Sequence, residues 1–279
     1  MGGPSTRLWE DAQVQAGVGA PAAGPAGAAG KGAALLRGKP WTRAAKRALD
    51  VALAALGLLA AAPLMAGIAL AIRLDSPGPV LFVQWRAGKD KRPFRMVKFR
   101  TMVDGAEAML PRLLAERGLV EPVLKVPDDP RVTRVGRFLR ATGLDELPQL
   151  WNVLRGEMSL VGPRPEEWRL VPYYGPHQEA RFSVRPGLTG PVQVRGPVLS
   201  LEERAALELA YLRDWSLRED LRLLLLTVPK VLRGGNAAIS GQQAVVSGQQ
   251  AVDGGPRSAV GGLLLQDRDD GCGSASEQD

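Results

Sequence analysis

The chain has 279 residues and carries 36 Lys and Arg against 29 Asp and Glu, a formal net charge of +7 at neutral pH. Its single cysteine, Cys272, excludes an intramolecular disulfide and a cysteine metal cluster. Its single histidine, His177, argues against a zinc site or a Ser-His-Asp triad, so any catalysis must use carboxylates, Lys, Arg and backbone groups.

Two segments of biased composition flank the part of the chain that we expect to fold. Residues 1–40 are rich in Gly, Ala and Pro, and residues 234–279 are rich in Gly, Ser, Gln and Asp. Neither segment buries enough apolar surface to offset the entropy lost on ordering, so we interpret them as a disordered leader and a low-complexity disordered tail. The folded part is then a membrane-anchoring segment, 41–75, and a globular domain, 76–233.

A long uncharged run opens the folded part. Residues 51–72 contain no charge, and most of them are Ala or Leu. As a helix this run is about 33 Å long, against a hydrocarbon core of about 30 Å. It lacks the polar stripe of a soluble core helix, and it is too long for the apolar region of a signal peptide. The run therefore predicts a membrane anchor.

The flanks of the anchor bear on its topology. Pro63 lies near its midpoint, where a proline removes a backbone hydrogen bond and kinks a helix. Basic residues lie both before and after the run, so the positive-inside rule has no asymmetry on which to act. A helix bent at Pro63 keeps both basic ends among anionic head groups on the cytoplasmic face. The sequence thus favours a re-entrant hairpin over a span.

The segment after the anchor is strongly basic. Residues 79–86 are predicted to form a strand, and residues 86–100 hold seven basic residues against one acidic residue. This charge has three explanations: a face against anionic lipid, a nucleic-acid patch, or a site for a polyanionic substrate. The aromatic content is only 5% and no nucleic-acid-binding motif is present, so we predict no nucleic-acid partner.

Further along, the spacing of apolar and basic residues predicts helices. Residues 104–118 and 201–215 have the apolar spacing of amphipathic helices. Arginines recur at every third position from Arg131 to Arg140, which covers about half of a helix surface. The neighbouring Asp residues are too few to pair with all of these arginines. An exposed basic face and a phosphate site both agree with this spacing.

The next segment contains the residues best suited to chemistry. Asp145 and Glu146 are adjacent, and Pro148 follows them. Because proline is tolerated only in the first helical turn, we predict a helix that begins within 144–147, with both carboxylates at its N-terminus. The helix dipole is expected to depress their pKa values, although ordinary N-capping would put the same residues there. Arg164 lies between two prolines, and a rigidly mounted Arg beside a carboxylate pair suits a diphosphate and a divalent cation.

These motifs, in this order, resemble the bacterial sugar transferase family, the monotopic phosphoglycosyl transferases. The resemblance covers about 41–234, and DELPQLWNVL together with SLVGPRP is its most specific part. The segments that carry it are KRALD (46–50), SPGPVLFVQWRAGKDKRPFRMVKFRTM (76–102), DDPRVTRVGRFLRATGLDELPQLWNVLRGEMSLVGPRPE (128–166), RPGLTGPVQVRG (185–196) and DWSLREDLRLLLLTVPKVLRG (214–234).

The resemblance implies an α-rich α/β fold, in which a small membrane-associated catalytic domain surrounds an N-terminal re-entrant membrane helix hairpin with interfacial amphipathic helices. It implies transfer of a sugar 1-phosphate from a UDP-sugar to undecaprenyl phosphate, with release of UMP. This reaction is the first membrane step of exopolysaccharide, capsule, O-antigen or glycoprotein glycan assembly. The implied location is the bacterial inner membrane, with the domain facing the cytoplasm, in contact with membrane lipids. Downstream glycosyltransferases are candidate partners.

For the site, the resemblance implies that Asp145 is the nucleophile of a covalent phosphosugar intermediate, and that Glu146 holds Mg²⁺ together with Asp145. The predicted substrate-binding residues are Lys98, Arg100, Arg140, Arg164 and Pro165. Two alternatives stay open at this point. One is a non-catalytic, membrane-tethered basic scaffold that binds polyanions, and the other is an enzyme that transfers the group in one step without a covalent intermediate.

Overall fold

The computed structural model describes residues 13–14, 40–118, 126, 128–196 and 201–232. The predicted leader and tail fall almost wholly outside the described residues. In chain order the helices are α1 (Pro40–Asp75), α2 (Leu110–Glu116), α3 (Arg134–Thr142), α4 (Gln149–Arg155), α5 (Pro191–Arg195), α6 (Leu201–Arg213) and α7 (Leu217–Leu232). The strands are β1 (Gln13–Val14), β2 (Leu81–Ala87), β3 (Pro93–Phe99), β4 (Ser159–Val161), β5 (Glu166–Glu167) and β6 (Gly187–Thr189). The predicted helix-rich α/β class is confirmed.

The uncharged run forms most of α1, a single helix of 36 residues. Within the described residues, α1 alone is long and apolar enough to cross a membrane, and 11% of its most apolar 18-residue window is buried. Because a soluble core helix would be mostly buried, we assign α1 to the membrane. The helix continues through Pro63, so the predicted hairpin is not confirmed. One proline removes one backbone hydrogen bond, whereas the Ala- and Leu-rich flanks have high helix propensity on both sides.

Both halves of α1 are bonded to the globular domain. In the first half, Asp50 accepts hydrogen bonds from the Ser159 hydroxyl at 2.8 Å and from the Leu160 amide at 3.1 Å. At the other end, Asp75 accepts a hydrogen bond from the Val135 amide at 3.0 Å, in the first turn of α3. These two carboxylates are 25 residues apart, which is about 37 Å along a helix. The membrane helix therefore lies along the domain rather than projecting from it.

Two hydrophobic clusters include residues of α1. The first joins α1 to β3, α4, β4, α6 and α7, and the second joins the later part of α1 to β3 and α3. The buried residues of the first cluster are Ala54, Phe94, Met96, Leu150, Val153, Met158, Leu160, Val161, Tyr211, Leu212, Trp215 and Leu223. Those of the second are Ile68, Ile72, Phe99 and Leu139.

The β2–β3 hairpin is the centre of a four-stranded sheet. β1 pairs with β2 in parallel, and β5 pairs with β2 antiparallel, with Arg86 opposite Glu167. In the antiparallel pairing of β2 and β3, Phe82 lies opposite Lys98. Because side chains two positions apart share a face of a strand, Lys98 lies on the same face as Gln84 and Arg86. A separate two-stranded parallel sheet consists of β4 and β6.

Asn152 joins α4 to the outer edge of β3. Its side-chain amide accepts a hydrogen bond from the Val97 amide at 3.1 Å and donates one to the Arg95 carbonyl at 2.8 Å. It therefore bonds to β3 much as the backbone of a neighbouring strand would. A further hydrogen bond joins the same amide to Glu157 at 2.7 Å. This contact fixes α4, and the turn that precedes it, against the sheet.

We expect Asn152→Ala to lower the free energy of unfolding by about 2 to 3 kcal/mol, because the buried Val97 amide would lose its partner. Thermal unfolding in detergent, followed by circular dichroism, measures this as a lower midpoint. Arg155→Ala is the matched control, because Arg155 is an exposed residue of the same helix, and it should cost less than about 1 kcal/mol. Equal midpoints for the two variants would contradict the role of Asn152.

Candidate active site

The two adjacent carboxylates lie in a short 3-10 helix, Leu144–Glu146, between α3 and α4. Gly143 ends α3 with a φ of 74°, a left-handed conformation that glycine adopts readily. The helix start predicted at these residues falls on this 3-10 turn, and α4 itself begins only at Gln149, with Pro148 as its N-cap. Asp145 and Glu146 are therefore presented by a separate turn.

The expected depression of the pKa is wrong for Asp145. Burial and the charge of the adjacent Glu146 raise the pKa of Asp145 to about 6, although Lys98 and Arg140 act in the opposite direction. A 3-10 turn of three residues supplies little dipole, whereas desolvation and a neighbouring like charge act directly on the carboxylate. With a pKa near 6, Asp145 is still mostly ionised at pH 7.

Lys98 approaches the carboxylates from β3. Burial and the charge of Arg86 lower the pKa of Lys98 to about 8, while the charge of Asp145 raises it. The Lys98 ammonium lies 5.1 Å from the centroid of the Phe82 ring, within cation–π range. Lys98 and Asp145 are thus close enough for each to shift the other's pKa.

Two of the predicted arginines also lie beside the carboxylate pair. Arg140, in the last turn of α3, donates a hydrogen bond from Nε to the Thr101 hydroxyl at 2.8 Å, and its charge lowers the pKa of Asp145. Arg164, between β4 and β5, forms an ion pair with Glu146, with 3.4 Å between Nη2 and Oε1. These contacts bring cations to both members of the pair from separate elements.

Arg100, which is also predicted to bind substrate, makes its hydrogen bonds to the loop between α1 and β2. Its side chain is buried, and its guanidinium donates hydrogen bonds to the Ser76 carbonyl at 2.8 Å and to the Pro77 carbonyl. Arg100 follows the last residue of β3 and holds the loop between α1 and β2. Its role in the structure is therefore to fix that loop.

Pro165 contributes backbone to the site. Its carbonyl accepts a hydrogen bond from Nη1 of Arg86 at 3.4 Å. Its ring also restricts Arg164, because the residue before a proline is confined to extended backbone. Pro165 thus shapes the loop that carries Arg164.

Sequence reasoning does not single out Arg86 as a site residue, although its charge interacts with Glu146 and Arg164. It forms an ion pair with Glu167 at 3.5 Å. Burial lowers the pKa of Arg86, and the charges of Arg164 and Glu146 also act on it. Within the described part of the chain, its Nε has no hydrogen-bond partner. The available signal was the strand period, which puts Arg86 on the same face as Lys98.

The combination of these groups suits phosphate chemistry. Arginine and lysine side chains bind phosphate oxygens, and an ionised carboxylate is a competent nucleophile at phosphorus. Among the described residues, no group of three or more His, Cys, Asp or Glu side chains could hold a metal ion. Mg²⁺, however, is commonly held by one or two carboxylates plus substrate phosphates. The repelling Asp145–Glu146 pair meets that requirement, since a divalent cation relieves the repulsion.

Comparison with known proteins agrees with this chemistry. The family model described as bacterial sugar transferase matches residues 41–234. The chain is 47% identical over 219 residues to the UDP-glucose:undecaprenyl-phosphate glucose-1-phosphate transferase of Caulobacter vibrioides, covering 73% of this chain and 77% of that protein. It is 42% identical to a protein of the same name from Escherichia coli, over 67% of this chain and 40% of that protein.

A third relative, a galactosyl transferase of Streptococcus agalactiae, is 40% identical over 69% of this chain and 43% of its own length. The chain thus spans less than half of the E. coli and S. agalactiae proteins but about three quarters of the C. vibrioides protein. The family match includes both α1 and the carboxylate turn. The chain therefore belongs to the bacterial sugar transferase family, as its motifs predict, and is a transferase of that type.

Proposed function

We propose that this enzyme transfers a sugar 1-phosphate from a UDP-sugar to undecaprenyl phosphate and releases UMP. The observation that carries the proposal is the Asp145–Glu146 pair beside three cationic side chains, in a chain 47% identical to a protein named for such a reaction. We further propose that the reaction is the first membrane step in assembly of an exopolysaccharide, capsule, O-antigen or glycoprotein glycan. Downstream glycosyltransferases would then use its product.

Two displacements at one phosphorus atom account for the reaction. An oxygen of Asp145 attacks the sugar-linked phosphorus, the bond from that phosphorus to the bridging oxygen breaks, and UMP leaves with the electron pair. An oxygen of undecaprenyl phosphate then attacks the same phosphorus, and the bond to Asp145 breaks, which regenerates the carboxylate. Lys98 and Arg140 stabilise the negative charge that develops near Asp145.

We propose Mg²⁺ as the cofactor, held by Glu146 and Asp145 together with the diphosphate of the donor. When bound, it supplies charge neutralisation for the phosphate groups. Arg164 reaches Glu146 at 3.4 Å and so lies where it can bind the same diphosphate.

The proposed location is the inner membrane, with α1 among membrane lipids and the domain in the cytoplasm. Both ends of α1 would then lie on the cytoplasmic side, as they do in a re-entrant anchor. This is supported by the bonds from Asp50 and Asp75 to the same domain, at positions about 37 Å apart along the helix. A helix that crossed the bilayer along its normal would separate these positions by the whole hydrocarbon core.

Cysteine labelling tests this topology. Trp41 and Leu74, near the two ends of α1, are 64% and 80% exposed, so Trp41→Cys and Leu74→Cys should fold normally in a Cys272→Ser background. We expect a membrane-impermeant maleimide to label neither cysteine in intact spheroplasts and both after permeabilisation. Labelling of one of the two from outside would demonstrate a span.

The reaction itself is tested by UMP release from detergent-solubilised protein. We expect release that requires Mg²⁺, undecaprenyl phosphate and one or more members of a panel of UDP-sugars. If no donor gave UMP while membrane binding persisted, the non-catalytic basic scaffold would be favoured. Salt-sensitive binding to any polyanion, independent of Asp145, would point the same way.

A further inference from the structure

We infer that Glu208 and Arg181 form a clamp on the backbone of Arg164, and that this clamp positions the Arg164 guanidinium at Glu146. The clamp is inferred from contacts among described residues, whereas its effect on turnover rests on the proposed function. Glu208 and Arg181 are positioning residues, because they act on the site through Arg164.

The clamp holds both polar groups of the Arg164 backbone. The Arg164 amide donates a hydrogen bond to Oε1 of Glu208 at 2.8 Å, and the Arg164 carbonyl accepts one from Nη2 of Arg181 at 2.8 Å. Arg181 and Glu208 are themselves paired, at 2.6 Å through Nε and at 3.1 Å through Nη2. One ion pair therefore forms hydrogen bonds to both the amide and the carbonyl of a single loop residue. Arg181 belongs to the 3-10 helix Glu179–Ser183, and Glu208 belongs to α6.

Burial makes this arrangement rigid. The side chains of Arg181 and Glu208 are 1% and 0% exposed. The Arg181 guanidinium also lies 4.7 Å from the ring centroid of Tyr174 and 5.0 Å from that of Phe182. A buried ion pair contributes little net stability compared with apolar residues of the same volume. We therefore attribute the Arg181–Glu208 pair to the position that it gives the Arg164 backbone, and not to a gain in stability.

The residues on either side of Arg164 restrict the loop further. Pro163 and Pro165 flank it, and a residue before proline is confined to extended backbone. Two positions later, Glu166 accepts a hydrogen bond from Arg204 at 2.8 Å and another from the Tyr174 hydroxyl. The backbone that carries the Arg164 side chain is thus fixed before, at and after that residue. Placement of a catalytic cation to within a fraction of an ångström is what such fixing provides.

A double-mutant cycle tests whether the clamp acts through Arg164. Glu208→Gln keeps the size of the side chain and removes its charge, so Arg181 loses its ion pair with Glu208 at 2.6 Å and keeps only the longer one with Glu166 at 3.4 Å. We expect kcat for UMP release to fall about 10-fold to 100-fold in Glu208→Gln and to fall no further when this change is added to Arg164→Ala. A merely structural contribution would lower kcat by the same factor in both backgrounds.

Asp220→Asn is the matched control. Asp220 is also a buried carboxylate, on the neighbouring α7, and it is bonded to Lys46 and to Tyr211, both at 2.6 Å. Its removal perturbs a buried network without touching the backbone of Arg164. We expect its effect on kcat to be the same in the wild-type and Arg164→Ala backgrounds.

Hydrogen exchange tests the clamp without any need for activity. Because proline has no amide hydrogen, Arg164 contributes the only backbone amide of residues 163–165, and a short peptide from this loop reports it almost alone. We expect this amide to be protected in the wild type, to exchange at least about 10-fold faster in Glu208→Gln, and to be unchanged in Asp220→Asn.

These two measurements separate failure of the clamp from failure of the proposed function. A wild-type protein that released no UMP would contradict the proposed function, and exchange at Arg164 would still decide on the clamp. Equal exchange in the wild type and Glu208→Gln would overturn the inference. Independent, multiplicative losses of kcat for Glu208→Gln and Arg164→Ala would overturn it as well.

Discussion

Asp145→Asn is expected to lower kcat for UMP release by about 10⁴-fold or more, while the protein stays folded and membrane-bound. The Asn side chain is uncharged and nearly isosteric with Asp, so the variant loses the nucleophile with little change in packing. It also loses one of the two carboxylates available to Mg²⁺. UMP release in detergent with saturating UDP-sugar and undecaprenyl phosphate measures the effect, and thermal unfolding verifies the fold.

The control for this variant is Asp214→Asn, which removes an exposed carboxylate at the end of α6 and should leave kcat unchanged. Incubation of the wild type with UDP-sugar alone should add one sugar phosphate to the peptide that contains Asp145, and the Asn variant should gain none. A fully active Asn variant would contradict the assignment of the nucleophile. Loss of activity together with the lack of any adduct in the wild type would favour single-step transfer.

The second large effect is expected at Lys98. Lys98→Met should lower kcat/KM for the UDP-sugar by about 100-fold or more at pH 7. The substitution removes a positive charge on β3 that acts directly on Asp145. Lys98→Arg should retain most of the activity, since it keeps the charge. Similar losses in both variants would mean that the shape of lysine, and not its charge, is what the site requires.

The pH profile distinguishes these variants further. Burial and Glu146 raise the pKa of Asp145 to about 6, so kcat/KM should decline as the pH falls through 6 and Asp145 takes up a proton. Burial and Arg86 lower the pKa of Lys98 to about 8, so kcat/KM should decline again as the pH rises through 8 and Lys98 loses its charge. Lys98→Arg should move the alkaline decline to higher pH and leave the acidic decline in place. An unchanged alkaline decline in Lys98→Arg would assign it to another group.

Local patterns predicted the features of this fold that depend on local chemistry. The membrane helix follows from a run of uncharged residues of sufficient length. The proline after Asp145 and Glu146 predicted a helix start within 144–147, whereas the structure has a 3-10 turn there and α4 begins at Gln149. The strand β2, Leu81–Ala87, was predicted at 79–86 from its run of mostly apolar residues. The continuity of α1 through Pro63 could not be predicted in this way, because packing of both its halves against the domain adds to its intrinsic helix propensity.

The parts of the site that sequence reasoning missed depend on contacts between distant segments. Lys98 and Arg100 are two residues apart in one basic motif, yet β3 ends between them and their side chains reach different partners. The ion pair between Arg86 and Glu167 depends on the pairing of β5 with β2. The raised pKa of Asp145 likewise depends on burial, which the sequence of its own turn does not report.

The way α1 lies along the domain has a consequence for how the protein reaches its native state. Ala54 and Ile72 are core residues supplied by the membrane helix, so the globular part cannot complete its packing until that helix has been positioned. We therefore expect insertion of α1 and folding of the domain to be coupled steps. A truncated fragment that began at residue 76 would not be a soluble version of this transferase, because it would open two cores to water at once.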